Sequence, residues 1–457
     1  MNNVKVSVLT YVLNDAAHIE RCVRSVMSQT MQELEILLVD GGSTDGTLEI
    51  LEKLAMEDVR IRLFHSNAGV GKQFNAGLKR ASGKYIGICE SDDYILPDMY
   101  QREYEVAEQY QVDVLRADYV RFSEKGNNTY TFPLETAAGR GIYDTLLYPQ
   151  EDFRFLGMGV NGFWTGLYNR EFLLENQIFM NETQGASYQD TTFAFLTELY
   201  ARRAYVMHDA FYHYCMDNPD SSVNSPKKIT SFDEEYHLLK MQLKRRGKWD
   251  RYKEVYWNWR LTGQFWFYDI LSDEMRAVYM PLAYENLKNE IESEKYQGTM
   301  LDKEGRKLCD AVLGTLDGFR EFWDSYDTAY RQEEQKIDRL GTDREIVLFG
   351  TGNIGLLAAS YLRLSNKEIS VGIDNDSGKW NYAWNGIQIL SPEEGVRRYP
   401  DAVYVIANVV HFREMKEQLE NMGIEEKNVV ICCKYDLLLK STVNILKEKD
   451  TEDKHAE

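Results

Sequence analysis

The 457-residue chain exceeds what a single hydrophobic core sustains and, at roughly 150 residues per unit, points to about three domains. Its 53 Lys and Arg are outnumbered by 73 Asp and Glu, and the formal charge of −20 argues against a general nucleic-acid binder or a polybasic membrane anchor. A hydrophobic share of 44% is ordinary for a globular protein, and no run approaches the roughly 18 uninterrupted apolar residues of a membrane span.

The opening segment, MNNVKVSVLTYVL, carries one positive side chain and alternates like a strand before passing straight into charged sequence, so no secretory signal is expected. From Val4 to about Asp93, short β-branched runs alternate with helical stretches. VKVSVL precedes a helix over Asp15 to Gln29; LEILLV precedes one over Leu48 to Met56; VRIRLF precedes one over Gly71 to Arg80; KYIGIC then follows. This alternation predicts βαβ crossovers and a mostly parallel sheet, with ligands at the carboxyl ends of its strands. A helix over Pro97 to Gln111, the strand VDVLRADYV, a turn at Gly126 to Asn128 and a strand over Gly162 to Tyr168 continue the unit, which closes near Ser225.

Residues 226–340 lack strand signals and read as a helical domain. Its aromatic segment YKEVYWNWRLTGQFWFYDIL suits a bundle core, or else an acceptor or membrane-surface platform. A second α/β unit spans 341–436, and a charged tail covers 437–457. The six cysteines, Cys22, Cys89, Cys215, Cys309, Cys432 and Cys433, form no C-x-x-C pair and read as reduced buried thiols, which fits a cytoplasmic protein.

Two acidic motifs stand at strand ends. In LVDGGSTDGT, Asp40 ends the second strand, where a carboxylate can accept from a base N–H while the glycine turn lets backbone approach a ligand; a tight turn capped by Asp45 is the plain alternative. In ICESDDYI, Glu90, Asp92 and Asp93 crowd within four residues, an arrangement suited to a hard cation such as Mn2+ or Mg2+ beside a diphosphate, or to a solvated acidic turn.

Together with NAGVGKQFNAGLKRASGKYIGICESDDYI, these motifs resemble the nucleotide-binding half of family 2 glycosyltransferases of the GT-A fold, over about residues 4 to 225. The resemblance implies a nucleotide-sugar donor, a divalent metal and an acceptor hydroxyl on a carbohydrate or lipid-linked saccharide. It implies that Asp40 meets the nucleobase, usually uracil, that Thr10 and Tyr11 frame the nucleoside, and that Asp92 and Asp93, with Glu90, serve the metal and donor. Lys72 lies where the family often carries a basic side chain facing the diphosphate. Asp190, in GASYQDTTFAF, matches the general base, and a single base without an internal nucleophile means inversion; a helix cap is its other reading. HDAFYHYCMDNPDSSVNS resembles the closing segment, so His213, or less readily His208, supplies a metal or phosphate contact, and Ser221 and Ser222 donate to phosphate. Trp164 flanks the acceptor, or packs in the core. Three departures stand out: Gly41 replaces a common aspartate, Glu90 replaces another, and strand one lacks the proline before its tyrosine.

Further on, the strand EIVLF runs into GTGNIG. Gly350, Gly352 and Gly355 with Asp374, nineteen residues later, form a G-x-G-x-x-G pattern in Rossmann-like context, open to NAD(P) or another nucleotide at a helix N-terminus. No Y-x-x-x-K pair follows residue 345, which disfavours redox chemistry. The reading that follows is an inverting, metal-dependent hexosyltransferase in bacterial surface polysaccharide or glycoconjugate assembly, touching membrane at most peripherally. A catalytically impaired nucleotide-sugar scaffold and a bifunctional enzyme with NAD-linked sugar modification are the competing readings.

Overall fold

Every residue of the first two strands is buried, and that burial of both faces, largely by Val, Leu and Ile, is what a covered parallel strand requires. The computed structural model describes residues 4–432 apart from 126–127, 135, 138–139, 153, 157–161, 185–187, 217, 219–228, 297, 299–300, 302, 339–343, 385 and 409–410. The expected turn at Gly126 to Asn128, Ser221, Ser222, the closure near Ser225 and the tail fall wholly or partly outside these residues. By its packing the chain divides into two units, Met1–Phe122 with Pro133–Phe319, and Ser123–Phe132 with Arg320–Glu457.

The first part of the chain runs β1 (Val6–Val12), α1 (Ile19–Met27), β2 (Leu34–Asp40), α2 (Thr47–Glu57), β3 (Ile61–His65), α3 (Val70–Arg80), β4 (Tyr85–Ile88), β5 (Tyr94–Ile95) and α4 (Met99–Tyr110). It continues through β6 (Val114–Lys125), β7 (Asn128–Leu134), β8 (Leu146–Leu147), β9 (Tyr168–Asn169), α5 (Arg170–Glu175), α6 (Asp190–Tyr200) and β10 (Ala204–Cys215). The sheet order is β3-β2-β1-β4-β9-β6-β10-β5, with β7 beside β6 and β8 beside β10. Strands β3, β2, β1 and β4 are parallel, so their carboxyl ends share one edge. On that edge lie Asp40 and the Glu90–Asp93 motif.

The strand expected over Gly162 to Tyr168 reduces to Tyr168–Asn169. Gly162 adopts a left-handed φ of 73°, and the Thr165 hydroxyl donates to the Gly162 and Ala117 carbonyls, folding the segment into a turn against β6. Helix α1 begins at Ile19 rather than Asp15, because Asp15 and Ala16 give their amides to Thr47 and Asp45 across the sheet edge.

Helices α7 (Ser231–Arg245), α8 (Trp249–Ile270), α9 (Asp273–Glu294), α10 (Lys303–Leu313) and α11 (Leu316–Asp338) follow. The aromatic segment supplies a bundle core: Tyr256, Trp257, Trp259, Phe267 and Tyr268 are buried. The second α/β unit contains β11 (Ile346–Phe349), α12 (Asn353–Leu364), β12 (Val371–Ile373), β13 (Ala383–Trp384), β14 (Ile387–Leu390), α13 (Pro392–Arg398), β15 (Val403–Ile406), α14 (Phe412–Asn421) and β16 (Val429–Ile431). Its sheet runs β13-β14-β12-β11-β15-β16, parallel except at β13, the strand order of a doubly wound sheet around a Val347, Phe349, Ile373, Tyr404 and Ile406 core.

One close approach sets the position of α3. A Cβ on Gly71 would stand 1.9 Å from the Asn181 carbonyl oxygen, while Asn75 exchanges hydrogen bonds with the Met180 amide and carbonyl. Gly71→Ala is expected to cost about 1–3 kcal/mol through overpacking against rigid backbone, read as a lower urea midpoint. Gly352→Ala, whose Cβ meets only open space, is the control that leaves the midpoint in place.

Candidate active site

The loops after β1 and β2 are laced together by side chains. The Asn14 amide donates to Ser43 Oγ at 2.9 Å, Asn14 Oδ1 accepts from Thr44, and Asp45 accepts from both Ala16 and Thr47. Beneath them the buried Gln73 donates its side-chain amide to the Val12 and Val39 carbonyls at 2.8 and 2.9 Å, tying the two strand ends. Asp40 is fully buried and accepts from the Gly42 and Ser43 amides and from His65 Nδ1 at 3.2 Å. Burial alone would raise its carboxyl; the donors from Ser43, Gly42 and His65 outweigh it and hold the group below the usual carboxylate range. Thr10 is fully buried with its hydroxyl unpartnered, and Tyr11 is buried beside it.

The three acidic residues after β4 have separate surroundings. Glu90 accepts the Tyr11 hydroxyl at 2.9 Å, and burial, followed by repulsion from Asp92, pushes its carboxyl up to about 8. Asp92 is raised by burial, accepts from Asn218 Nδ2 at 2.7 Å, and gives its backbone carbonyl to Arg21. Asp93 is fully buried, its oxygens accepting the Tyr212 hydroxyl at 2.6 Å and the Cys215 amide at 2.7 Å. Burial and then Asp92 and Glu90 raise it well above the carboxylate range. Tyr212 also accepts the Glu90 amide at 3.0 Å, so one phenol links strand β10 to both ends of the motif.

His213 stacks on Tyr94 with centroids 4.4 Å apart, and burial lowers its pKa, leaving a neutral ring with Nδ1 unpartnered. His208 lies elsewhere, stacked on Tyr143 and 3.7 Å from Asp118. Among the described residues no three His, Cys, Asp or Glu side chains converge as a ready cation cage. The donor set nonetheless fits a hard cation: Glu90 and Asp92 are buried oxygen donors, both raised by burial, Glu90 further by repulsion from Asp92 and Asp92 further by repulsion from Asp15. A site with one or two carboxylates suits a cation that takes its remaining ligands from phosphates.

Asp190 is the first residue of α6. Burial raises its carboxyl to about 6, partly offset by its own amide and that of Thr191 at the helix start. Its charge is felt by both Tyr11 and Glu90, which places it in the neighbourhood of the acidic motif. Lys72 lies in the first turn of α3, partly exposed and unpaired among the described residues. Trp164 is only 7% exposed, packed against Tyr119, Tyr212 and Tyr214, with its indole N–H unpartnered. Gln73, Arg21, Tyr212 and Asn218 escape a reading of the sequence. Gln73 stands within the motif that holds Lys72, and Tyr212 and Asn218 within the closing segment, but each acts through backbone groups or through residues far along the chain, which no local pattern shows.

In the second unit a Cβ on Gly350 would meet the Ala407 carbonyl at 2.7 Å and one on Gly355 the Gly350 carbonyl at 2.2 Å, so both glycines serve the turn itself. Asp374 accepts from the Thr351 amide and hydroxyl and pairs with Lys379 at 3.1 Å. Burial opposes ionisation of Asp374, but the bonds from Thr351 and Asp376 hold its carboxyl low.

Comparison with known proteins adds to this geometry. The sequence profile described as Glycosyl transferase family 2 matches residues 7–173, and one described as C2185-like, N-terminal, matches 342–430. An uncharacterised glycosyltransferase of Bacillus subtilis, EpsJ, is 33% identical over 241 residues, covering 51% of this chain and 67% of that protein. A cholesterol galactosyltransferase of Borreliella burgdorferi is 25% identical over 337 residues, covering 72% and 88%. The crystal structure of S. aureus TarS residues 1–349 with UDP-GlcNAc shares the fold, with a TM-score of 0.55 at 19% identity, covering 71% of this chain and 92% of that one.

Tyr212 offers a direct probe of how the acidic motif is held. Tyr212→Phe strips Asp93 of a donor and the Glu90 amide of its acceptor, and should cost about 1–3 kcal/mol. Differential scanning calorimetry reads this as a lower transition temperature for the first unit.

Proposed function

This chain belongs to glycosyltransferase family 2, and on that premise we propose that it transfers a hexose from a UDP-sugar to an acceptor hydroxyl with inversion. Asp190 is the observation that carries this reading, because a carboxyl near 6 is ionised at neutral pH yet still basic enough to take a proton. It removes the acceptor proton as that oxygen attacks the anomeric carbon, while the bond from that carbon to the diphosphate breaks and UDP leaves. A single displacement inverts the anomeric centre.

Asp40 accepts from the uracil, with the laced β1 and β2 loops framing the nucleoside. Lys72 and the first amides of α3 receive the diphosphate. Asp92, with Glu90 beside it, would hold Mn2+ or Mg2+, which when bound neutralises charge on the departing diphosphate. Asp93 anchors the motif to β10, and His213 remains a secondary candidate beside it. The buried Trp164 meets the acceptor only at its edge. UDP and UDP-GlcNAc in the TarS structures support the choice of nucleotide. The relative named for galactosyl transfer to cholesterol supports a lipid acceptor and glycolipid synthesis, while a carbohydrate or lipid-linked saccharide acceptor in polysaccharide assembly rests on the family resemblance. Among the described residues no helix is long and apolar enough to cross a membrane. We place a lipid-linked acceptor at the inner membrane face, met from the cytoplasm. For the second α/β unit we infer a nucleotide-binding, regulatory role, in which a ribose would compete with Thr351 and Lys379 for Asp374.

Release of UDP from a panel of UDP-sugars, with and without Mn2+, tests the enzyme against the scaffold reading, which predicts none. Asp190→Asn is expected to lower that rate roughly 100- to 10,000-fold while UDP binding by calorimetry is kept. Equal rates for the variant and the native chain would sink the base. Because Asp190 acts ionised, kcat/KM should fall as pH drops through about 6, and this limb should vanish in Asp190→Asn.

A further inference from the structure

The base is held from outside the sheet domain. Glu235, on α7, is 1% exposed and accepts Asn181 Nδ2 at 2.7 Å on one carboxylate oxygen and the Thr183 hydroxyl at 2.7 Å on the other. Asn181 passes the link to α6 by donating to Thr192 Oγ1 at 2.8 Å, two residues beyond Asp190. Thr183 passes it to the other side, accepting Gln189 Nε2 at 2.9 Å, one residue before Asp190. Gln242, two turns further along α7, donates to Asn181 Oδ1 at 2.9 Å. Two polar arms from one carboxylate thus grip the residues that flank the base.

The same short segment faces the donor side. Its Met180 backbone pairs with Asn75, and its Asn181 carbonyl fills the space left by Gly71, next to Lys72. A displacement of residues 180–183 would therefore move the base helix and the first turn of α3 together. Burial raises Glu235 to about 7 against the bonds from Asn181 and Thr183, and Asp190 adds to the rise, so the two carboxyl groups share one neighbourhood. A neutral side chain would link these elements with less desolvation.

We propose that Glu235 is a positioning residue for transfer, fixing Asp190 relative to the donor through Asn181–Thr192 and Thr183–Gln189. The inference rests on the reading of Asp190 as the base. A misplacement of the order of 1 Å is enough to lose about 100-fold in rate without loss of ligand binding, because the chemistry depends on near-attack geometry.

The test uses the full chain and the UDP-sugar that the native protein hydrolyses fastest among UDP-glucose, UDP-galactose and UDP-N-acetylglucosamine. Glu235→Ala should lower kcat for UDP release about 10- to 100-fold, with KM for that UDP-sugar and calorimetric UDP affinity within about twofold of native. Glu235→Gln, which keeps an acceptor for one arm, should recover part of the loss. In the Asp190→Asn background Glu235→Ala should cause no further fall, since it acts through the base. An unchanged kcat in Glu235→Ala, or a full additional loss in the Asp190→Asn background, overturns the proposal while leaving the base intact. An Asp190→Asn variant with native rate overturns the base itself. If Glu235→Ala fails to fold, the Thr183→Val and Thr192→Val double variant decides: a kcat loss at constant KM supports the proposal, and a native kcat overturns it.

Discussion

Three carboxyl groups withdrawn from water at the end of one strand are the constraint on which the first unit depends. Burial raises all three carboxyls; repulsion from Asp92 adds to the rise of Glu90, repulsion from Asp92 and Glu90 to that of Asp93, and repulsion from Asp15 to that of Asp92, so each needs its own neutral or cationic relief. The donors come from different parts of the chain. Tyr11 lies on β1, Asn218 follows β10, and Tyr212 and Cys215 are on β10 itself. A strand 122 residues away therefore completes a motif that occupies four residues in sequence. Asp93 spends its oxygens on that closure, which leaves Glu90 and Asp92 as the groups whose charge remains to be met from outside.

The departures from the family pattern acquire a physical reason on the same edge. A side chain at Gly41 would begin 3.1 Å from the Gln73 amide, the group that ties β1 to β2. Glycine at 41 and glutamine at 73 thus form one solution: the space of a side chain is given to a buried amide bridging two strand ends. Glutamate at 90 is similarly matched, since its added length accompanies a hydrogen bond to Tyr11 across the sheet. Each substitution is thus matched by a partner, Gln73 for Gly41 and Tyr11 for Glu90, rather than left as the gap that decay of the site would produce.

Much of this was legible in the sequence wherever a signal is local. The short β-branched runs, the helical spacing between them and the acidic turns at strand ends gave the parallel sheet and put Asp40, Glu90 and Asp92 at the carboxyl ends of its strands, whereas Asp190 was reached only through the family resemblance. What stayed hidden depends on contacts between distant residues. Asp92 and Asp93 are indistinguishable as neighbouring letters, and only the packing of β10 separates the buried anchor from the residue beside it. Gly162 to Tyr168 carries strand-like residues, yet the Thr165 hydroxyl competes for the backbone and makes a turn. In the second unit the glycine pattern located the strand-to-helix turn. It did not reveal that Asp374 is already bonded to Thr351 and Lys379.

The helices beyond residue 226 belong in the same physical account as the sheet. Tyr188 holds a left-handed φ of 61°, a conformation that costs about 1–3 kcal/mol for a residue with a side chain and persists only where surroundings enforce it. The enforcement is aromatic: its ring meets Phe232 of α7 and Trp266 and Phe267 of α8 edge-on, with centroids 5.7 to 6.0 Å away. Its carbonyl in turn accepts the Thr191 amide, so the strained residue sets the start of α6 and with it Asp190. A boundary drawn at 225 separates Asp190 from the rings that fix the start of its helix. The aromatic richness of α8 is thereby explained as packing that also fixes the start of α6, because the bundle core and the support of Asp190 are made by the same side chains.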